Sequence, residues 1–197
     1  PEAWPGAWRQ EGIAEAAVEG ALLEISTDGV RLDLAGAVLD GEDFQGWGIY
    51  VHDCADVEIS NGVIKGFFYG IRAVRIERLG IRNCVVSDNH NPRDTGWLGD
   101  TLSPAEAGYG GGVYLLEASD SLLEGNAVNN NFNGIDLVRS DGNVIKENDA
   151  SNSGNVGIHL LRSSGNSIEG NRAEHCIRFT DRFWNDTADS AGILLEE

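Results

Sequence analysis

Six times along the chain a glycine is followed by an aliphatic residue, a variable residue and a second aliphatic or small residue. The copies are Gly48-Ile49-Tyr50-Val51, Gly70-Ile71-Arg72-Ala73, Gly112-Val113-Tyr114-Leu115, Gly134-Ile135-Asp136-Leu137, Gly157-Ile158-His159-Leu160 and Gly192-Ile193-Leu194-Leu195. The glycines are spaced by 22, 42, 22, 23 and 35 positions. The two long spacings read as single coils carrying insertions of about 20 and about 12 residues beyond the basic period, and self-similarity at a fixed period marks a repeat architecture. A second pattern follows each glycine and ends in asparagine, at Asn61, Asn83, Asn126, Asn148 and Asn171, 13 or 14 positions on. Short third segments such as Val63-Ile64 and Val85-Val86 come next.

Each segment is too short for a helix and alternates with the two-residue period of a strand. A single coil of such strands cannot bury its own apolar face, whereas stacked coils bury a continuous core. Stacking sets equivalent residues about 4.8 Å apart, so the five asparagines are expected to form one hydrogen-bonded ladder at a tight corner. The first coil is expected over Leu22 to Leu39. Residues 1–20 depart from the repeat, and Ile13-Ala14-Glu15-Ala16-Ala17-Val18 reads as a short helix closing the open end of the solenoid. The expected organisation is a cap over 1–20 and a solenoid over 21–197, with insertions at 88–110 and 176–190.

The stretch from Asn133 through Gly134-Ile135-Asp136-Leu137 to Val144-Ile145-Lys146-Glu147-Asn148 resembles the repeats of the NosD-like and pectate-lyase-like superfamily of right-handed parallel β-helices. The resemblance covers roughly residues 20–197. It implies an all-β, right-handed parallel β-helix of about six to seven coils. It also implies one of several activities, because the superfamily holds polysaccharide lyases, glycoside hydrolases, uronan epimerases and non-enzymatic binding proteins. No single member matches closely, so no catalytic residue is carried over from it.

Composition narrows the partners. Fourteen Lys and Arg stand against 32 Asp and Glu, for a formal net charge of −18. Such a surface repels nucleic acid and anionic membranes, so neither is an expected partner. No apolar run is long enough to span a bilayer. The chain begins Pro1-Glu2-Ala3-Trp4 with neither an initiator Met nor a signal peptide. That reads as a trimmed mature form of an extracellular or periplasmic protein, or as a piece of a longer one. The three cysteines, Cys54, Cys84 and Cys176, cannot all pair within the chain, lack zinc-site spacing, and are expected in coil interiors.

Alternation points the aliphatics of each glycine-led strand inward and the variable residue outward. The outward column then runs Tyr50, Arg72, Tyr114, Asp136, His159 and Leu194, on a face expected to meet solvent. A carboxylate beside an imidazole, with a phenol and a guanidinium near them, can handle protons and developing negative charge. Asp136, His159, Tyr114 and Arg72 are therefore the candidate catalytic residues. The two insertions are expected to wall a groove across this column. They carry Trp97 and Tyr109 in one, and Phe179, Phe183 and Trp184 in the other, faces on which sugar rings can stack. Tyr50, Trp97, Tyr109, Arg178, Arg182 and Trp184 are the candidate substrate-binding residues. His175, Asp181 and Asp186 are further acid–base candidates, and His52 and His90 weaker ones. Two carboxylates across the groove would make a hydrolase. The same acids could hold Ca²⁺, although no linear calcium-loop motif is present. The expected function is acid–base chemistry on a polysaccharide or oligosaccharide, by hydrolase, lyase or epimerase. The alternatives are a non-catalytic carbohydrate-binding or structural solenoid, and a metal-binding module. Copper is disfavoured by the lack of Met and the scattered histidines. Oligomeric state is not legible.

Overall fold

The computed structural model describes residues 20–42, 46–89, 110–177 and 190–197. Among them all regular structure is strand. In chain order the strands are β1 (Ala21–Ile25), β2 (Arg31–Asp33), β3 (Val38–Asp40), β4 (Trp47–Ala55), β5 (Glu58–Ser60), β6 (Val63–Lys65), β7 (Tyr69–Glu77), β8 (Gly80–Arg82), β9 (Val85–Ser87), β10 (Gly111–Ser119), β11 (Leu122–Glu124), β12 (Asn133–Val138), β13 (Val144–Lys146), β14 (Val156–Leu161), β15 (Ser167–Glu169) and β16 (Ala191–Glu196). All pairings are parallel and join successive coils. The order is β1-β4-β7-β10-β12-β14-β16 in the long sheet, β2-β5-β8-β11-β13-β15 in the second and β3-β6-β9 in the third. The first coil, β1 to β3, lies where the sequence places it. From β10 on, isolated bridges linking Val85, Ala127, Asp149 and Arg172 replace the third strand. Fully strand-walled coils are therefore fewer than the six to seven expected from the glycine spacing. The expected cap, with its 13–18 helix, lies outside the described residues. No helix among those described is long and apolar enough to cross a membrane.

The core follows from the alternation. Ile49, Ile71, Val113, Ile135 and Ile158 stack in one inward row, and Val51, Ala73, Leu115, Leu137 and Leu160 in the next. All belong to one buried cluster with Ile59, Ile81, Leu123 and Ile145 of the second sheet. The three cysteines are buried and free.

The repeat glycine has a steric cause. A Cβ at Gly48, Gly112, Gly134 or Gly157 would meet the carbonyl oxygen of the equivalent glycine one coil on, at 2.5, 2.7, 2.3 and 2.6 Å. Backbone cannot yield as a flexible side chain can. A Gly134→Ala substitution is expected to lower stability by about 1 to 3 kcal/mol, the cost of forcing one carbon into a packed interior. Chemical denaturation measures it, and an unchanged midpoint would show that the coils can slide apart there.

The asparagine ladder differs from its expectation. Asn126, Asn148 and Asn171 do stack, with Nδ2 of Asn126 and Asn148 donating to Oδ1 of the next coil's asparagine at 2.9 and 3.0 Å. Asn61 and Asn83 are not in it. They sit one position earlier, exposed in the left-handed corner they share with Gly125, Glu147 and Gly170, at φ between 52° and 66°. Cys84 takes the ladder slot on that coil, and its amide donates to Asn126 Oδ1 at 2.9 Å. Two further ladders, Asn89 to Asn131 and Asn143 to Asn166, brace other corners.

Candidate functional site

The outward column is in register. Glu24 pairs with Tyr50, Tyr50 with Arg72, Arg72 with Tyr114, Tyr114 with Asp136, Asp136 with His159 and His159 with Leu194. The expectation that it meets solvent is overturned for Tyr114, Asp136 and His159. Tyr114, Asp136 and His159 are only 1, 3 and 4% exposed. Beside them lies a second apolar cluster of Phe68, Tyr69, Val74, Tyr114, Leu116, Val138 and Leu161, separate from the solenoid core. Val74, Leu116, Val138 and Leu161 lie in the next outward column, two residues along each strand, so this cluster belongs to the outer face of the long sheet. Tyr50 and Trp47 pack at its half-buried edge.

A line of polar groups runs through this apolar layer. Asn155 donates to Asn133 Oδ1 at 2.8 Å, and Asn133 donates to Asp136 Oδ2 at 2.8 Å. Asp136 Oδ1 lies 3.1 Å from His159 Nδ1, and His159 Nε2 lies 2.8 Å from Glu196 Oε2. The imidazole thus bridges carboxylates on the coils before and after it. Burial alone disfavours its charged form. The hydrogen bonds and charges of Asp136 and Glu196 together outweigh that, and the His159 pKa is raised above the usual imidazole value. A protonated ring donates from both nitrogens, one to each carboxylate.

Arg72 enters from β7. Its guanidinium stands over the Trp47 ring at 4.6 Å and the Tyr114 ring at 5.3 Å, a cation–π bracket between coils. Tyr69 and Tyr114 lie with ring centroids 4.9 Å apart. Burial, first, and then the Asp136 carboxylate hold the Tyr69 phenol well above its ordinary range. At the near edge Tyr50 tilts against Trp47 at 4.5 Å and stacks on His52 at 4.4 Å. His52 is held by Asp53 and Glu24, at 2.9 and 2.7 Å, and their hydrogen bonds raise its pKa. Arg75 clamps Asp53 with two bonds, and with His52 keeps that carboxyl at about 2.

The column therefore unites four expected residues, Arg72, Tyr114, Asp136 and His159, with Tyr50 at its rim. His175 is exposed at a left-handed corner and reaches none of them through any hydrogen bond among the described residues. Trp97, Tyr109, Arg178, Arg182, Trp184, Asp181 and Asp186 lie outside the described residues, as do His90, Phe179 and Phe183. Most of both expected insertions lies there with them. Among the described residues no group of three or more His, Cys, Asp or Glu is arranged to hold a metal ion. Sequence reading missed Glu196, Tyr69, Asn133 and Asn155. Glu196 was within reach, since it follows the column residue Leu194 by two positions on the same face.

A family model for the right-handed β-helix region matches residues 29–196. The chain belongs to the right-handed β-helix family. Membership accounts for the parallel stacking and gives the coils their hand, the one that crossover connections between parallel strands take almost without exception. No curated protein matches this β-helix.

Proposed function

We propose that this β-helix carries out acid–base chemistry on a saccharide at the outer face of its long sheet, with Asp136 and His159 as the proton-handling pair. The observation that carries the reading is the hydrogen-bonded line Asp136–His159–Glu196 set in an apolar layer. A buried imidazole with a shifted pKa beside a carboxylate is more common at functional positions than in inert walls. Low surrounding polarity strengthens each of its interactions. Arg72 supplies positive charge for an anionic group, Tyr114 contributes a phenol, and the half-exposed Tyr50 and Trp47 offer ring faces where a sugar would first arrive. An extracellular or periplasmic setting, a carbohydrate partner, and neither nucleic acid nor membrane as partner belong to the same proposal. Calcium belongs to it only through the loop acids.

The burial of Asp136 and His159 favours a second reading. In a non-catalytic saccharide-binding or structural solenoid, the same line would serve to tie β12, β14 and β16 together. A panel of neutral and uronate-containing glycans separates the two, assayed for new reducing ends and for absorbance of unsaturated uronates, with and without a chelator. Reducing ends with absorbance mean a lyase, and reducing ends without it a hydrolase. Proton exchange with solvent at uronate C5, without cleavage, means an epimerase. Saturable binding with none of these products, across the panel, supports the second reading.

A further inference from the structure

Both ends of the long sheet carry the same arrangement. β1 and β16 are its terminal strands, each paired within the sheet on one side only, with β4 and with β14. On each of those neighbours stands a histidine whose ring bridges two carboxylates, one of them on the terminal strand. His52 of β4 has Nε2 2.7 Å from Glu24 of β1 and Nδ1 2.9 Å from Asp53. His159 of β14 has Nε2 2.8 Å from Glu196 of β16 and Nδ1 3.1 Å from Asp136. The offsets mirror each other. Glu24 pairs with Tyr50, two residues before His52, and Glu196 pairs with Leu161, two residues after His159. Two positions along a strand keep a side chain on the same face, so each glutamate reaches its imidazole diagonally across one strand gap. The terminal strands are the least buried of the sheet. Leu23 of β1 is half-buried where its partner Ile49 is buried. Ile193 and Leu195 of β16 are 46 and 65% exposed, whereas their partners Ile158 and Leu160 are buried. Stacked repeats open most easily where a coil has one neighbour instead of two, so a cross-strand tie has its largest effect there.

We infer that His52 and His159 are proton-operated clasps on the first and last strands of the long sheet, and that the solenoid opens from both ends when the two rings become neutral. The inference is independent of the saccharide reading. A protonated ring donates from both nitrogens, one to each carboxylate, in charge-assisted bonds. A neutral ring donates from one nitrogen and turns a lone pair on the other carboxylate, which can only accept. One bond is then lost, and the one that remains loses its charge. His52 is faced by Glu24 from β1, by Asp53 and the stacked Tyr50 ring from its own strand, and by Val74 and the Asp53-bound Arg75 from β7. His159 is faced by Asp136 from β12 and Glu196 from β16, with the Tyr69 phenol of β7 within electrostatic reach of Asp136. Asp53 and Glu24 raise the His52 pKa, and at His159 burial opposes the charge but Asp136 and Glu196 outweigh it. Both clasps are thus closed below about 6.5 and release as pH climbs through the raised values.

The test is backbone amide exchange on the whole chain, followed by NMR from about one pH unit below the ordinary imidazole value to about two above it. Protection in β1 and β16 is taken relative to Leu115 of β10 and Leu123 of β11, in mid-solenoid, which cancels the intrinsic rise of exchange with pH. Relative protection is expected to fall in both terminal strands as pH rises, by up to about tenfold per pH unit, the limit for release of one proton. The fall should be larger in β16, since the His159 side chain is 6% exposed and that of His52 20%. His52→Gln is expected to abolish the fall in β1 and keep it in β16, and His159→Gln the reverse. A general loss of stability would move both ends together. Glu24→Gln and Glu196→Gln repeat the two arms with the imidazoles intact. Relative protection that stays flat with pH in either terminal strand overturns the inference. So does a fall that persists in the variant lacking that strand's histidine, or a terminal strand already unprotected when both rings are charged.

Discussion

An Asn148→Ala variant is expected to lose about 3 to 5 kcal/mol of stability, far more than its one missing carboxamide suggests. Asn148 Oδ1 accepts from the Asn126 amide at 3.0 Å and from Asn126 Nδ2 at 2.9 Å. Its own Nδ2 donates to the Leu123 carbonyl at 2.9 Å and to Asn171 Oδ1 at 3.0 Å. Truncation leaves an amide, a carboxamide hydrogen and a carbonyl unpaired beside a dry core. Each such orphan costs about 1 to 3 kcal/mol, and a small void cannot supply a water to all of them. Asn83→Gly is the control. Asn83 is exposed at φ 52°, a conformation glycine adopts freely, so a change within about half a kcal/mol is expected. Denaturant unfolding compares the two at constant slope. Amide exchange at Asn126 reports whether the loss is local, since stacked repeats can open coil by coil. A loss below about 1 kcal/mol for Asn148→Ala would mean that the stacked carboxamides are ornament and the aliphatic rows alone hold the corner.

The contrast between these two asparagines shows where the sequence was legible. Asn61 and Asn83 follow their repeat glycines by 13 positions, whereas Asn126, Asn148 and Asn171 follow by 14. One position is the difference between a corner that needs a left-handed backbone and a slot that needs a two-ended hydrogen-bonding side chain. Asparagine suits both, so residue identity alone merged them. The column from Tyr50 to His159 was legible for the same reason the strands were: period-two alternation decides inside from outside, and equal spacing decides register. Alternation is silent about what packs against the outside. Tyr114, Asp136 and His159 are buried on that side all the same, beside a cluster that includes Phe68 and Tyr69, two residues that precede the repeat glycine and carry no periodic signal of their own. Glu196 was missed because the column was read one residue per coil, although His159 reaches diagonally along the next strand to find it.

Replacing His159 by Gln is expected to remove turnover on any active glycan by about a hundredfold to ten-thousandfold, the range that positioned proton transfer contributes. Glutamine keeps a polar, hydrogen-bonding side chain between Asp136 and Glu196 but cannot carry the proton. A folded His159→Gln protein with wild-type turnover would remove this residue from the chemistry. The same substitution should change how stability depends on pH, and the sign follows from the geometry. The folded-state pKa of His159 is raised because burial, which opposes the charge, is outweighed by the carboxylates of Asp136 and Glu196. A group with a raised folded pKa stabilises fully below its unfolded value, about 6.5, and loses that contribution as pH climbs through the folded value. Wild type is therefore expected to melt at progressively lower temperature as pH rises from near 6.5 through the raised pKa, with β16 loosening first because Glu196 is its link to the ring. His52, raised in the same direction by Asp53 and Glu24, contributes to the same window. The comparison is therefore made in a His52→Gln background. There, His159→Gln should flatten the remaining slope, and Glu196→Gln should reduce it while leaving the Asp136 contact in place. A slope that survives His159→Gln in that background would assign the pH dependence to other groups and leave the Asp136–His159–Glu196 line as neutral hydrogen bonding.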